Sequence, residues 1–334
     1  MHGTDSWPGH LFRTRRAVLG AGLGAGLGLA AAAVLTAGHP ARAAGSREIR
    51  IGYQRYGTLI ILKHTGMLEK ALPPGVSVSW AEFPAGPQML QAMQAGALDL
   101  GITGDAPPIF AQAASDRVMY VGQEPKAPRG EAIIVREASP IRSMADLKGR
   151  SVGLNRASNV HWLLLAALKH AGMSVADIRP VFLPPAAARP AFSAGQIDAW
   201  AIWDPYLSAA ESEPVRRIAE AGGLVGNRQF ILGDRQFLQR SPDLASLVLA
   251  QLAKSDAWAQ DHKPEVSAFL AADTGLPLPV VSRAVDRLSF GVVPISPDVV
   301  AEQQAAADAF LAQGLLPAKL TVADAVWHAP AATG

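Results

Sequence analysis

Gly101-Ile-Thr-Gly-Asp-Ala-Pro-Pro-Ile-Phe-Ala-Gln-Ala-Ala114 reads as a strand end, a tight loop and the first turn of a helix. Leu98, Leu100 and Ile102 alternate as a half-buried strand does, Gly104 permits an unusual backbone angle, and Asp105 can cap a helix opened by Pro107 or Pro108. Free amides at such a helix start, with the dipole behind them, favour an anion by roughly 0.3–1 kcal/mol, rising to about 2 when partly buried. One such turn is a weak signal, because many helices begin this way against water alone.

The stretch has a twin. Ala95-Gly96-Ala97-Leu98-Asp99 leading to Gly104-Asp105-Ala106-Pro107 is echoed by Ala194-Gly195-Gln196-Ile197-Asp198 leading to Trp203-Asp204-Pro205-Tyr206. A second echo pairs Gly52 and Lys63-His64-Thr65-Gly66 with Gly153 and Lys169-His170-Ala171-Gly172. Each half holds a strand, a helix ending at His-x-Gly, and a helix-Gly-strand unit stopping in an Asp-containing loop. Two similar α/β lobes are expected.

Working outward, Ile49, Ile51 and Tyr53 predict a first strand ending at Gln54-Arg55-Tyr56-Gly57, with a helix from Thr58. A helix over 87–95 precedes the quoted strand, and strands over 119–121 and 132–135 follow the quoted helix. Ser139-Pro140 reads as a crossing into the second lobe, followed by a short capped helix over 143–147, a strand over 152–154 and a helix over 160–170. His161, in the first turn of that last helix, is poorly placed as a cation and is expected neutral, facing a ligand. His64 and His170, in last turns, are read as structural. A strand over 181–183, a helix over 186–194 and a strand over 197–202 lead to Trp203, which either caps the core or forms an apolar wall of a cleft. Phe230-Ile231-Leu232-Gly233 reads as the return crossing, and helices over 242–260, 264–272, 277–288 and 297–312 complete the chain. Ligands of alternating α/β sheets sit beyond the strands' carboxyl ends, which is where Tyr56, Gly104 and Asp105 belong.

The amino terminus declares a destination. Thr14-Arg15-Arg16-Ala17-Val18-Leu19, an apolar Ala/Gly/Leu run to Ala37 and the small-x-small site Ala41-Arg42-Ala43 form a twin-arginine export signal. Gly20-Ala21-Gly22 imitates a dinucleotide fingerprint, but basic residues and no strand precede it. The run could also span a bilayer, although its mild apolarity and the cleavage motif favour removal. Of 30 basic and 28 acidic residues, residues 1–43 hold four basic and one acidic, leaving 26 against 27 in the mature chain. With that near-neutral balance and no Lys/Arg-rich stretch left, no nucleic-acid partner is expected, and the absence of cysteine excludes disulfides and thiolate metal sites. No His/Asp/Glu spacing indicates a metal, so neither cofactor nor metal is expected.

As a set, Ile51-Gly52-Tyr53-Gln54-Arg55-Tyr56-Gly57, Glu82-Phe83-Pro84-Ala85-Gly86-Pro87-Gln88, Gly104-Asp105-Ala106-Pro107-Pro108-Ile109-Phe110-Ala111-Gln112-Ala113, Ser158-Asn159-Val160-His161, Val181-Phe182-Leu183-Pro184-Pro185 and Trp203-Asp204-Pro205-Tyr206 resemble the periplasmic aliphatic-sulfonate-binding proteins of ABC transporters. The match runs in order over most of residues 47–245; nitrate-, taurine- and thiamine-precursor-binding relatives share the broader scheme. The resemblance implies an α/β type II periplasmic-binding-protein fold with two lobes joined by two hinge crossovers. On this reading residues 1–43 are the signal, 44–137 and 232–334 form lobe I, and 138–231 form lobe II. It also implies a monomer in the periplasm that delivers an alkanesulfonate to an ABC permease driven by a cytoplasmic ATPase. Carried over by motif, the ligand-binding residues are Gln54, Tyr56, Gly57, Gly104, Asp105, Ala106, Ser158, Asn159, His161, Trp203 and Asp204, with Glu124 a weaker candidate.

The chemistry suits that ligand. A sulfonate stays ionised and offers three acceptor oxygens, which amides at two helix starts, Ser158, Asn159 and a tyrosine hydroxyl could satisfy, while Trp203 and Tyr56 cover the alkyl chain. Asp105 and Asp204 would repel a bare anion, so their carboxylates are expected to be turned into caps or to meet a polar or cationic end of the ligand. Alternatives are taurine, a sulfate ester, nitrate or a thiamine-precursor pyrimidine, a sensor role, or an enzyme assembled from Ser158, His161 and Asp204. No nucleophile elbow supports the last of these.

Overall fold

The structure, a computed structural model, describes residues 47–329, so the expected export signal lies outside the described residues. The first lobe begins with β1 (Arg47–Tyr53), α1 (Thr58–Thr65), α2 (Met67–Ala71), β2 (Val76–Glu82), α3 (Gly86–Gln94), β3 (Leu100–Gly104), α4 (Ala106–Ala114) and β4 (Val118–Gln123). The second holds β5 (Glu131–Arg136), β6 (Ser151–Leu154), α5 (Asn159–His170), β7 (Arg179–Phe182), α6 (Pro185–Ser193), β8 (Ala199–Trp203), α7 (Tyr206–Ala210) and β9 (Val215–Glu220). The chain then returns through β10 (Gln229–Asp234) to α8 (Arg235–Arg240), α9 (Pro242–Asp261), α10 (Lys263–Thr274), α11 (Leu278–Val285) and α12 (Pro297–Ala312).

Two five-stranded sheets of one topology result, ordered β2-β1-β3-β10-β4 and β7-β6-β8-β5-β9. In each, the first three strands are parallel and the fourth runs antiparallel to both neighbours. The fourth strand of each sheet follows a crossing and the fifth precedes one. Consequently the crossings are 124–130 and 221–228, and β5 is the fourth strand of the second sheet. The expectation of crossings near 137 and 231 misplaces both strands, because their sheet membership is decided by distant partners: Ile133 faces Ala201 and Ile231 faces Ile102.

The sequence echo has a packing cause. A Cβ at Gly52 would occupy the space filled by Leu98, and one at Gly153 the space filled by Ile197. In both lobes a glycine on the first parallel strand lets the residue entering the third strand pack flat across it. Strand alternation then sorts the cores. Met119 and Val121 join α1, α9, α10 and α11 on one face of the first sheet, while Val118 and Tyr120 join α3, α4 and α12 on the other. In the second sheet Ile133 and Val135 pack on α5, and Ala132 and Ile134 on α6 and α7. Strands β2 and β9, unanticipated from the sequence, lie at sheet edges and are half-buried, so their apolar pattern is diluted. The capped turn after Ser143 is present as a 3-10 helix with a reciprocal Ser143–Asp146 capping box.

Candidate functional site

A cavity of ≈ 820 Å³, counted to its open mouth, lies between the lobes at the carboxyl ends of β1, β3 and β8. Helices of eight or more residues start at its wall, α1, α3 and α5 among them. Gly57 (φ 109) precedes α1, Ala85 precedes α3, and Ser158 precedes α5, none with a side-chain cap. The first-turn amides of these helices have no intrahelical acceptor, so they offer donors to a bound group. The turn before α5 is strained for that purpose: Ala157 takes φ 60, which for a residue with a Cβ costs ~1 kcal/mol, and its amide donates to His161 Nδ1 at 3.2 Å.

Nine of the twelve residues expected at a ligand line this cavity: Gln54, Tyr56, Gly57, Gly104, Glu124, Ser158, Asn159, Trp203 and Asp204. Their roles differ from expectation in several places. The Tyr56 hydroxyl donates to the Ala284 carbonyl at 2.6 Å, so Tyr56 presents its ring and no free donor. Ser158 Oγ donates to the Asn155 carbonyl at 2.7 Å. Asn159 Nδ2 donates to Glu131 Oε2 at 2.5 Å and to Asn227 Oδ1 at 3.2 Å, a buried tie from α5 to the start of β5 and to the second crossing. Trp203 packs on both cores of the second lobe, with its ring edge-on to Tyr206 at 6.3 Å, and still faces the cavity. It serves as core and wall at once.

Glu124 is 1% exposed and accepts a hydrogen bond from Thr58 Oγ1. Burial drives its carboxyl well above the usual carboxylate range, with the charge of Asp256 adding to the effect, which favours the neutral acid. A neutral carboxyl beside an anion is a donor rather than a repelling charge. Asp204 has the expected capping role: Oδ1 accepts from Ser208 N at 2.9 Å and Ser208 Oγ at 2.6 Å. Its Oδ2 faces Arg287 Nη1 at 3.4 Å, and Arg287 Nη2 reaches Glu211 Oε2 at 2.6 Å. Arg287 also lines the cavity and was not among the sequence candidates; its only local signal is an arginine at the end of a helix.

The structure does not bring Asp105, Ala106 or His161 to the cavity wall. The start of α4 is a poor anion site because Pro107 and Pro108 carry no amide hydrogen, leaving Ala106 as the first-turn donor. Asp105 does not cap the helix: Oδ1 is buried without a hydrogen-bond partner. Burial pushes its carboxyl up to about 7, against the opposing amides of Ala106 and Arg228. The folded state therefore keeps a proton that the unfolded chain, at an ordinary value of 3.8, has already released. The stability this group confers is greatest below about pH 4, declines as the pH rises through about 7, and is level above that. Asp105→Asn is expected to flatten that slope, raising the melting temperature by a few degrees at pH 8 and little at pH 5; equal shifts at both would count against it.

His161 is neutral, as expected, but for a different purpose. Burial, reinforced by Arg156, lowers it to about 4, and its ring lies edge-on to Phe182 at 5.8 Å and to Phe310 of α12 at 5.6 Å. It is an aromatic contact between the lobes. With Ser158, His161 and Asp204 each engaged elsewhere, the triad considered from the sequence does not form.

What the paired sheets, two crossings and interlobe cleft define is a two-lobed binding protein of the periplasmic-binding type. Within that class the chain belongs to the family described as NMT1/THI5 like, whose model matches residues 74–275. A protein of Escherichia coli K12 described as binding aliphatic sulfonates is 43% identical over 283 residues, covering 84% of this chain and 88% of its own. The crystal structure of the periplasmic aliphatic sulphonate binding protein SsuA from Escherichia coli superposes with TM-score 0.79 at 42% identity, over 86% of this chain and 94% of that one. The alkanesulfonate-binding protein SsuA from Xanthomonas axonopodis pv. citri bound to MOPS gives TM-score 0.79 at 41% identity, over 84% and 98%. Each is a binding protein, not an enzyme.

Proposed function

We propose that this chain is the extracytoplasmic solute-binding component of an ABC importer and takes aliphatic sulfonates in its cleft, for sulfur acquisition. The observation that carries this is the donor set of the cavity: first-turn amides of α1, α3 and α5 together with the raised acid of Glu124, and, among the described residues, no unpaired cation in the cavity lining. A permanently ionised, three-oxygen head group fits dispersed dipolar donors, and Trp203 with Tyr56 offers the alkyl chain an apolar wall. The sulfonate-binding relatives support the same reading, and MOPS is itself an alkanesulfonate. The Arg15-Arg16 signal supports export by the twin-arginine route to the periplasm, where a single chain closes its lobes on the ligand and presents it to a permease with its ATPase.

Calorimetric titration of residues 44–334 with methane- to octanesulfonate tests this. Affinity is expected to rise with chain length, with nitrate and a thiamine-precursor pyrimidine binding weakly. Trp203→Ala is expected to weaken octanesulfonate by about tenfold or more and methanesulfonate by about twofold, since each buried methylene contributes about 0.8 kcal/mol. Equal losses at all lengths would make Trp203 core alone; binding of nitrate but of no sulfonate would overturn the ligand.

A further inference from the structure

Resting on the sulfonate reading above, we propose that the cleft continues into an outer subsite that recognises an anionic group at the far end of the ligand, such as the carboxylate of a sulfoalkanoate. A second cavity, ≈ 930 Å³ to its open mouth, shares Gln54, Tyr56 and Trp203 with the first and opens beyond them. Its walls are aromatic, with Trp203 and Tyr206 from the second lobe and Phe83 from the first. Two side chains within it have polar atoms left over. Arg189, half-buried on α6, makes no hydrogen bond or ion pair among the described residues, and the Tyr206 hydroxyl likewise has no hydrogen-bond partner there.

The charge balance of this vestibule decides the ligand class. Its lining carries Arg55, Glu82 and Arg189 as charged groups. Arg55 is committed, since its Nε donates to Glu82 Oε1 at 2.7 Å and its Nη1 to the Asp273 carbonyl at 3.4 Å. With Asp273 also acting on Arg55, Arg189 is the one uncommitted cation of the lining among the described residues, a planar five-donor fork shaped for a carboxylate or sulfonate. It stands on the second lobe while Arg55, Glu82 and Phe83 stand on the first, so a group bound between them is enclosed as the lobes meet. A methyl terminus would leave the fork unpaired and gain only the aromatic walls. A carboxylate terminus gains both. The sulfonate head stays at the helix starts, the methylenes pass Trp203, and the second anion meets Arg189 and the Tyr206 hydroxyl.

The experiment is calorimetric titration of residues 44–334 with two matched series, unbranched sulfonates of three to eight carbons ending in methyl or in carboxylate. At the length that spans the two cavities, the carboxylate-ended member is expected to bind about five- to tenfold tighter than its methyl-ended partner, discounted for the partial exposure of Arg189. Arg189→Gln is expected to abolish that preference while leaving methyl-ended sulfonates within about twofold, and Tyr206→Phe to reduce it. Wild-type protein that binds methyl-ended sulfonates but never prefers the carboxylate would overturn the subsite and leave the sulfonate site standing. A preference retained in Arg189→Gln would overturn the assignment to Arg189. Failure of both series to bind would overturn the sulfonate reading and the subsite with it.

Discussion

Gly104→Leu is expected to cost about a hundredfold or more in affinity for every sulfonate regardless of chain length, and Gly104→Ala about tenfold, with the unliganded chain nearly as stable as wild type. Gly104 ends β3 on the first lobe, and a Cβ there would stand 2.9 Å from Asn159 Cβ and 3.1 Å from its Cγ on the second. Real side chains do not approach so closely, so one of the two must give way. Asn159 cannot turn aside without breaking its hydrogen bonds to Glu131 and Asn227. Gly104 is held by its pairing with Gln229. The lobes themselves must therefore part by a fraction of an ångström for alanine and more for leucine. Because the amides of α3 and α5 come from opposite lobes, a parted cleft cannot place both against one head group. Each 1.4 kcal/mol lost from the closed arrangement is a factor of ten in apparent affinity. Gly104 has no positive φ, so the substitution adds bulk without backbone strain. Calorimetry with methane- and octanesulfonate, together with unliganded melting temperatures, checks this; unchanged dissociation constants would mean that the lobes do not bind in this contact.

Gly104 was legible in the sequence as a permissive glycine at a strand end, but its reason was not. The expectation was an unusual backbone angle. The structure gives a close approach of a second lobe, which no local pattern encodes. The same limit explains the other departures. Asp105 and Ala106 begin a helix, as read, but whether a helix start is an anion site depends on its amides, and Pro107 with Pro108 removes two of them. His161 was correctly placed in a first turn and correctly neutral, yet its partners Phe182 and Phe310 lie about 20 and 150 residues away. The crossings were mislocated because β5 and β10 take antiparallel places in sheets whose other strands lie elsewhere in the chain. By contrast, the loops at Gln54–Gly57, Ser158–Asn159 and Trp203–Asp204 were read well, since strand alternation, a turn and a helix start all occur within about ten residues.

Arg287→Met is expected to weaken all sulfonates by about a hundredfold through faster release, while changing the unliganded melting temperature much less than a buried ion pair of this kind would suggest. Arg287 follows α11, whose Val281 and Val285 belong to the core of the first lobe. Its partners Asp204 and Glu211 belong to the second. The side chains of Arg287 and Asp204 are 13% and 1% exposed, so removing the cation strands the Asp204 carboxylate in a poorly hydrated place, while Glu211 keeps its ion pair with Arg217. Burial already raises Asp204, and Arg287 is one of the groups that hold it down. Breaking such a pair costs about 3–5 kcal/mol when the remaining charge cannot reach water. Here it can, because parting of the lobes would rehydrate Asp204, so the penalty falls on the closed arrangement and not on folding. Neighbouring Arg283 makes the same connection, donating to the Ser208 carbonyl at 3.0 Å, so α11 acts as a clasp across the mouth of the cleft. Stopped-flow release of a sulfonate, with small-angle scattering of the unliganded variant, separates the two effects: a larger radius of gyration with a faster off-rate fits the clasp. A drop in melting temperature of ten degrees or more with unchanged release would instead make Arg287 a structural residue of the fold.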